Sequence, residues 1–411
     1  MKYVILHAEG MSDHPRQELA GKTPLQAACT PYLDRLAEQS ELGLLTVVLD
    51  DGRHGSGLTG TSILGYEPKK YYQGPGPLEA ASLGVTVGEH DVVYRCTMVT
   101  LKSDGSPGLK ASGTDLKKLG PHVVMDDATA GLITSEEARE LIDAVNEQLG
   151  SEVIQFFPGS GHRHLMVWVN GKPRAVCMDP QSLVGRSIAD SLPAGDGADM
   201  LRKLMDASLV ILRDHPVNEE RREAGQKPAN CLWLWGEGRA ITRPSLTERF
   251  DVSGVVVSSA DVHRGLGLVS GLEAVDPFRL ADLRTHAKVA LEELKKKDFA
   301  YVHVELPDEV VYDPDVKAKV RAIEAVDGEF VGPFMDGMAA LGPYRLVTIS
   351  DPGSVHQNHM SQAHWPYAYH DTTVKPARAP GRRFTEADAK AVAAAPRDAT
   401  KFVVRLFAKG S

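Results

Sequence analysis

Acidic residues recur in this sequence at one kind of position, just past an apolar run. The stretches KYVILHAEG (2–10), FDVSGVVVSSAD (250–261), DFAYVHVELPDE (298–309) and YRLVTISDPG (344–353) all end this way. They place Glu9, Asp261, Asp308 and Asp351 at strand tips, and in an open parallel sheet such tips face one crevice. Two histidines, His356 and His359, follow Asp351 within ten residues. Convergent carboxylates suit hard divalent cations, with imidazole filling borderline positions.

A second set of residues is cationic. Arg95 lies in YRCTMVT, Arg163 and His164 lie in GHRHLMV, and DHPVNEERR supplies His215, Asn218, Arg221 and Arg222. Arg264 lies in ADVHRGLG. Arginine's planar fork holds phosphate or carboxylate oxygens in pairs. Blander roles are open for each: Arg163–His164 as a surface pair, Arg221 and Arg222 as a solvated helix face, His215 as a helix cap. Trp233 and Trp235 alternate within a buried stretch and read as core. His162 and His263 stand in segments expected to be site loops, with no assigned role.

The elements that must position these groups alternate. Residues 2–7 and 43–49 read as strands. Between them lies KTPLQAACTPYLDRLAEQ, with Thr23 as N-cap, Pro24 at the first helical position and Gln26 closing a capping box. The Gly- and Ser-rich segment 51–62 reads as a loop. This order predicts an α/β fold with a mainly parallel sheet. The middle of the chain adds VVYRCTMVTL, EVIQFFPG and HLMVWVNGK as strands, and TSEEARELIDAVNEQLG as a helix with Thr134 and Glu137 as its box and Gly150 as its stop. We expect an inserted α+β domain over residues 80–240 in a core of residues 1–79 and 241–411. RDATKFVVRLFAKGS reads as a last sheet element or a closing helix.

Bulk properties exclude several classes. A chain of 411 residues is too long for one core. A net charge of −9 without a basic stripe disfavours nucleic acid. No apolar run nears the ~18 residues that cross a bilayer, so no membrane association is expected. The opening run lacks the length and cleavage site of a signal peptide, which points to the cytoplasm. Four scattered cysteines without a CxxC pair argue against a disulfide framework or a thiolate zinc site.

The blocks GKTPLQAACTPYLDRLAEQSELGLL, TSILGYEPKKYYQGPGPLEAASLGV, FFPGSGHRHLMVW, DHPVNEERREAGQKPANCLWLWGEG and VHVELPDE resemble the archaeal-type, cofactor-independent phosphoglycerate mutases of the alkaline phosphatase superfamily. The likeness runs in order through nearly the whole chain. It implies an alkaline-phosphatase-like core with a two-metal centre and a serine nucleophile. It also implies an inserted domain that binds a small phosphorylated carboxylic acid, with closure completing the site. The serine would take a phosphoryl group from one hydroxyl of the acid and return it to another.

Onto that pattern, Ser56 matches the nucleophile and Glu9 stands where the first strand normally ends in a metal-binding Asp. Asp308 and Asp351 match metal ligands, and His359 or His364 falls near the last ligand histidine. The departures lie beside them: Gly57 replaces an Asp, Gly60 an Asn, Tyr312 a His and Pro352 a His. The cationic residues keep their types. The resemblance with these departures predicts a related enzyme that grips a phosphoglycerate-like acid and moves a phosphoryl or similar group at a degenerate or remodelled metal centre. One or two ions of Mn2+, Mg2+ or Zn2+ are implied if the centre persists, and none if it is lost. An active mutase working through phosphoserine, and a non-catalytic metabolite-binding relative, are the alternatives.

Overall fold

The computed structural model describes residues 1–47, 57–103, 116, 122–240, 242–277, 282–307, 310, 315–352, 364–375 and 378–408. The chain forms two compact units, Met1–Tyr72 with Thr242–Ser411, and Gln73–Ile241. In chain order, β1 (Lys2–Glu9) and β2 (Glu41–Thr46) precede the second unit. That unit holds β3 (Val92–Ser103), β4 (Val123–Asp127), β5 (Ile154–Phe157), β6 (Arg163–Trp168), β7 (Ala175–Val176), β8 (Ala194–Gly195) and β9 (Cys231–Gly238). The first unit resumes with β10 (Gly254–Val257), β11 (Glu273–Val275), β12 (Phe299–Glu305), β13 (Tyr344–Asp351), β14 (His364–Asp371) and β15 (Arg397–Asp398).

The first unit is built on one sheet of order β11-β10-β12-β1-β13-β14-β2-β15. The five strands from β11 to β13 are mutually parallel, and β14 runs antiparallel to both neighbours. Alternation along the strands divides the sheet into two faces. Val4, Leu6 and Ala8 of β1, Ala300, Val302 and Val304 of β12 and Leu346 of β13 join one apolar core. The helices Pro31–Glu38, Leu283–Lys296 and Gly332–Ala339 add Leu33, Leu36, Ala287, Leu294, Phe334 and Met338 to it. The opposite face carries His7, Glu9, Tyr301, His303 and Asp351.

The second unit packs helices Ser135–Leu149 and Ala198–Arg213 against β3, β5, β6 and β9 through its own core, which includes Trp233. Both expected capping boxes form, at Thr23 with Gln26 and at Thr134 with Glu137. Two local expectations need correction. The segment after Thr23 is two helices, Pro24–Ala27 and Pro31–Glu38, because Pro31 starts a new helix at its first position. Leu58–Ile63 is a buried helix, within the segment expected to be a loop, and Thr61 and Ser62 turn their hydroxyls back onto the Gly57 and Leu58 carbonyls. The terminal segment is both of the expected elements, a two-residue strand and then the helix Phe402–Phe407. The seams lie at 72/73 and 241/242, against expected seams at 79/80 and 240/241.

Candidate metal centre

Parallel register explains how the cluster arises. His7 pairs with His303 across β1 and β12, and Glu9 pairs with Asp351 across β1 and β13. Side chains two residues apart share a face, so His7, Glu9, Tyr301 and His303 all project together. Ser258, just past β10, reaches His303 from the neighbouring strand. His263 comes from the helix Asp261–Val269, on its buried side. His7, Glu9, His263 and His303 each offer a ligand atom, and these atoms all lie within 4.8 Å of one another.

The hydrogen bonds order the group. Nε2 of His263 and Nε2 of His303 both lie 2.9 Å from Oε2 of Glu9, and their rings stack 3.6 Å apart. On the outer side, Nδ1 of His303 lies 2.9 Å from Ser258 Oγ, and Nδ1 of His263 lies 2.7 Å from the Tyr301 hydroxyl. The same hydroxyl lies 3.0 Å from Nδ1 of His7. Nε2 of His7 is 3.1 Å from Asp351 Oδ2, within ion-pair distance.

Burial sets the charges. His263 and His303 are held below the ordinary imidazole pKa, His303 far below, first by burial; for His303 the charge of His263 adds to this. Burial thus favours the neutral ring over the charged one in both, and the neutral ring is the form that ligates a metal. Burial pushes Glu9 up, but the hydrogen bonds and charges of His263 and His303 outweigh it and hold the carboxyl well below its usual range. Burial is the largest single influence on His7 and lowers it, but the close Asp351 carboxylate together with the charges of Glu9 and Glu305 outweighs it and holds His7 above its ordinary value. Burial and then the Glu9 charge raise Tyr301 well above an ordinary phenol, so it keeps its proton. The imidazoles of His263 and His303, whose neutral form burial favours, form with the ionised Glu9 carboxylate a donor set that fits a divalent cation.

Of the expected metal ligands, Glu9 lies in this cluster and Asp351 at its edge. Ser56, Asp308 and His359 lie outside the described residues, as do His356 and Tyr312. Asp261 is at the start of its helix and pairs with Arg264. The three imidazoles His7, His263 and His303 were assigned no ligand role from sequence. Their signal was present: His7-x-Glu9 and Tyr301-x-His303-x-Glu305 put polar residues at a spacing of two inside apolar strands.

In the second unit, Arg95 and Arg163 share one face of the sheet, because Thr97 pairs with Arg163 and Arg95 with Leu165. Arg95 is paired with Glu79 at 2.6 Å and lies 4.7 Å over the Trp235 ring. Arg163 is exposed. Burial, and then the charge of Arg163, holds His162 well below its ordinary pKa.

The other expected contacts are drawn elsewhere. His164 points to the opposite face, is buried, accepts from the Gly159 amide, and is pushed down to about 4 by burial. His215 caps the helix Pro216–Glu223 through the Val217 amide. Asn218 is a buried brace between Leu212 and Ala229. Arg221, also buried, ties Lys227, Glu137 and Ala130 together. Arg222 is exposed and bonds the Arg213 carbonyl. Arg264 belongs to the first unit, where it pairs with Asp261 and Asp276 and bonds the Ser258 and Ser259 carbonyls. Asn218 and Arg221 thus have their donors satisfied by buried carbonyls, as scaffold braces do.

Comparison with known proteins yields consistent relatives. A family model described as 2,3-bisphosphoglycerate-independent phosphoglycerate mutase matches residues 37–218. A protein of Geobacter sulfurreducens named "Probable 2,3-bisphosphoglycerate-independent phosphoglycerate mutase" is 42% identical, over 85% of this chain and 86% of its own. A Methanothrix thermoacetophila protein named 2,3-bisphosphoglycerate-independent phosphoglycerate mutase is 37% identical over the same shares. Among solved structures, the cofactor-independent phosphoglycerate mutase of Thermoplasma acidophilum superposes with a TM-score of 0.55 at 23% identity, covering 99% of this chain and 100% of that one. A Pyrococcus horikoshii protein superposes with a TM-score of 0.71 at 21% identity, covering 100% and 99%. These likenesses show the fold, an alkaline-phosphatase-like α/β architecture.

Proposed function

This chain belongs to the 2,3-bisphosphoglycerate-independent phosphoglycerate mutase family, and from that premise we propose that it interconverts 3- and 2-phosphoglycerate. The observation that carries the reading is the buried cluster of His7, Glu9, His263 and His303 beside Asp351, at the carboxyl ends of parallel strands. A chain that had lost its metal chemistry has no evident reason to bury three imidazoles around one carboxylate, since burying polar groups is costly unless they are partnered. This favours a working mutase over a relative with a changed reaction or a binding protein. The departures at Tyr312 and Pro352 mean only that imidazole comes from other positions.

In this mechanism Ser56 is the nucleophile: its oxygen takes the phosphoryl group from one hydroxyl of the acid and returns it to the other. A cation held by the cluster supplies positive charge against the phosphate dianion. Glu9 keeps its charge there because His263 and His303 hold it ionised. Arg163, with Arg95 and His162 beside it, grips an anionic group of the substrate through charge-assisted hydrogen bonds. Asn218 and Arg221 serve the scaffold that presents β6. A cytoplasmic location accords with a glycolytic-type reaction, and no helix among the described residues is long and apolar enough to cross a membrane.

Phosphorus NMR tests the reading. Purified protein with 3-phosphoglycerate and added Mn2+ or Co2+ should develop the 2-phosphoglycerate resonance. EDTA and Ser56→Ala should each abolish it. No new resonance from folded, ion-loaded protein rejects the mutase.

A further inference from the structure

The arrangement of the cluster selects both the cation and the atoms that hold it. We propose that Glu9, His263 and His303 form a three-ligand site for a borderline divalent transition cation of the Zn2+, Co2+ or Fe2+ class, with Ser258 and Tyr301 as positioning residues. The proposal deepens the mutase reading by naming the cation class, and it is tested by ion binding rather than turnover.

The inner and outer atoms sort cleanly. Both Nε2 atoms converge on Glu9 Oε2 at 2.9 Å, and each Nδ1 meets a hydroxyl at 2.9 or 2.7 Å. Ligating histidines characteristically donate their second N–H to such an outer partner, which fixes the tautomer and the ring. With the ion on Nε2, His303 donates Nδ1–H to Ser258 and His263 donates Nδ1–H to Tyr301. Tyr301 has one proton, so having accepted from His263 it donates to Nδ1 of His7 at 3.0 Å. His7 then carries its proton on Nε2, beside Asp351. That count makes His7 a link to Asp351 rather than a ligand, and leaves open positions for substrate oxygen or water.

Two imidazoles and a carboxylate with open positions are the donor set of catalytic zinc and of non-haem iron sites. Mg2+ and Ca2+ favour all-oxygen shells. The Glu9 and Asp351 charges together balance a dication in a buried setting.

The test uses full-length protein stripped with a chelator and titrated with Co2+, read by its visible absorption and by equilibrium dialysis with Zn2+. One ion should bind per chain at this site and resist a thousandfold excess of Mg2+. His263→Gln and His303→Gln should each weaken binding more than 100-fold. Tyr301→Phe and Ser258→Ala should each weaken it about 10- to 100-fold and shift the Co2+ band, while His7→Gln should weaken it less than His263→Gln. Circular dichroism checks that each variant is folded, and the conservative Tyr301→Phe keeps the test decisive if a histidine variant is not.

The proposal is overturned if folded wild type binds no Co2+, if Mg2+ displaces it at equal concentration, or if Tyr301→Phe and Ser258→Ala leave affinity and spectrum unchanged. Tight Co2+ binding without 3-phosphoglycerate turnover would reject the mutase and keep the site. Turnover supported by Mg2+ alone, without Co2+ binding, would do the reverse.

Discussion

At the scale of single residues, the same side-chain type serves opposite ends. Arg163 and Arg221 both looked like anion grips, and only burial separates them. Arg221 is 3% exposed and bonds three backbone carbonyls and Glu137. Removing a buried charged partner typically costs about 3 kcal/mol or more, so Arg221→Met should lower unfolding free energy by about that much in urea titrations. Arg163→Ala should change stability by less than about 0.5 kcal/mol. It should instead weaken 3-phosphoglycerate binding by about 10- to 100-fold in calorimetry, the worth of a charge-assisted bond. His286 gives a pH signature. Burial pushes it down to about 4, against an ordinary value of about 6.5. Between these values the unfolded chain binds more protons, so stability is full above about pH 6.5 and falls as pH drops toward 4. The loss between pH 7 and pH 5 comes to about 2 kcal/mol. His286→Leu should flatten the denaturation midpoint over that range by a corresponding amount, after allowance for its own packing change.

At the scale of elements, helix starts were legible and the polar face of the sheet was not. A capping box is written within four residues, so Thr134 and Glu137 could be read directly, and Thr134→Ala should cost about 1 kcal/mol in thermal or urea unfolding. The cluster depends on contacts between residues as far apart in sequence as Glu9 and His303, and register alone brings them together. The helix Leu58–Ile63 closes the same side. A Cβ on Gly60 would stand 2.7 Å from Leu266 Cδ2 and 2.8 Å from the Tyr301 hydroxyl. Gly60→Ala should therefore cost about 1–3 kcal/mol through overpacking and disturb the Tyr301 contact with His263. Differential scanning calorimetry reads the first effect and the Co2+ band reads the second.

At the scale of the whole molecule, the chain forms two units with separate cores. All the residues of the candidate metal centre lie in the first unit, so ion binding should raise the unfolding transition of that unit alone. At an ion concentration 100 times the dissociation constant the gain is about 2.7 kcal/mol. Calorimetry with and without Zn2+ should show one transition move and the other stay, and equal movement of both would mean that the units unfold together. The sequence by itself determined the α/β class, the insertion in the chain, the capped helices and the family likeness, because periodicity, caps and motif order are local or linear properties. It pointed to Glu9 and Asp351 because a carboxylate after an apolar run marks a strand tip. Only the tertiary structure decided that His7, His263 and His303 gather around Glu9 and that Asn218 and Arg221 are braces. Both outcomes follow from which side chains strand register and helix packing bury together, and neither is encoded at any fixed spacing along the chain.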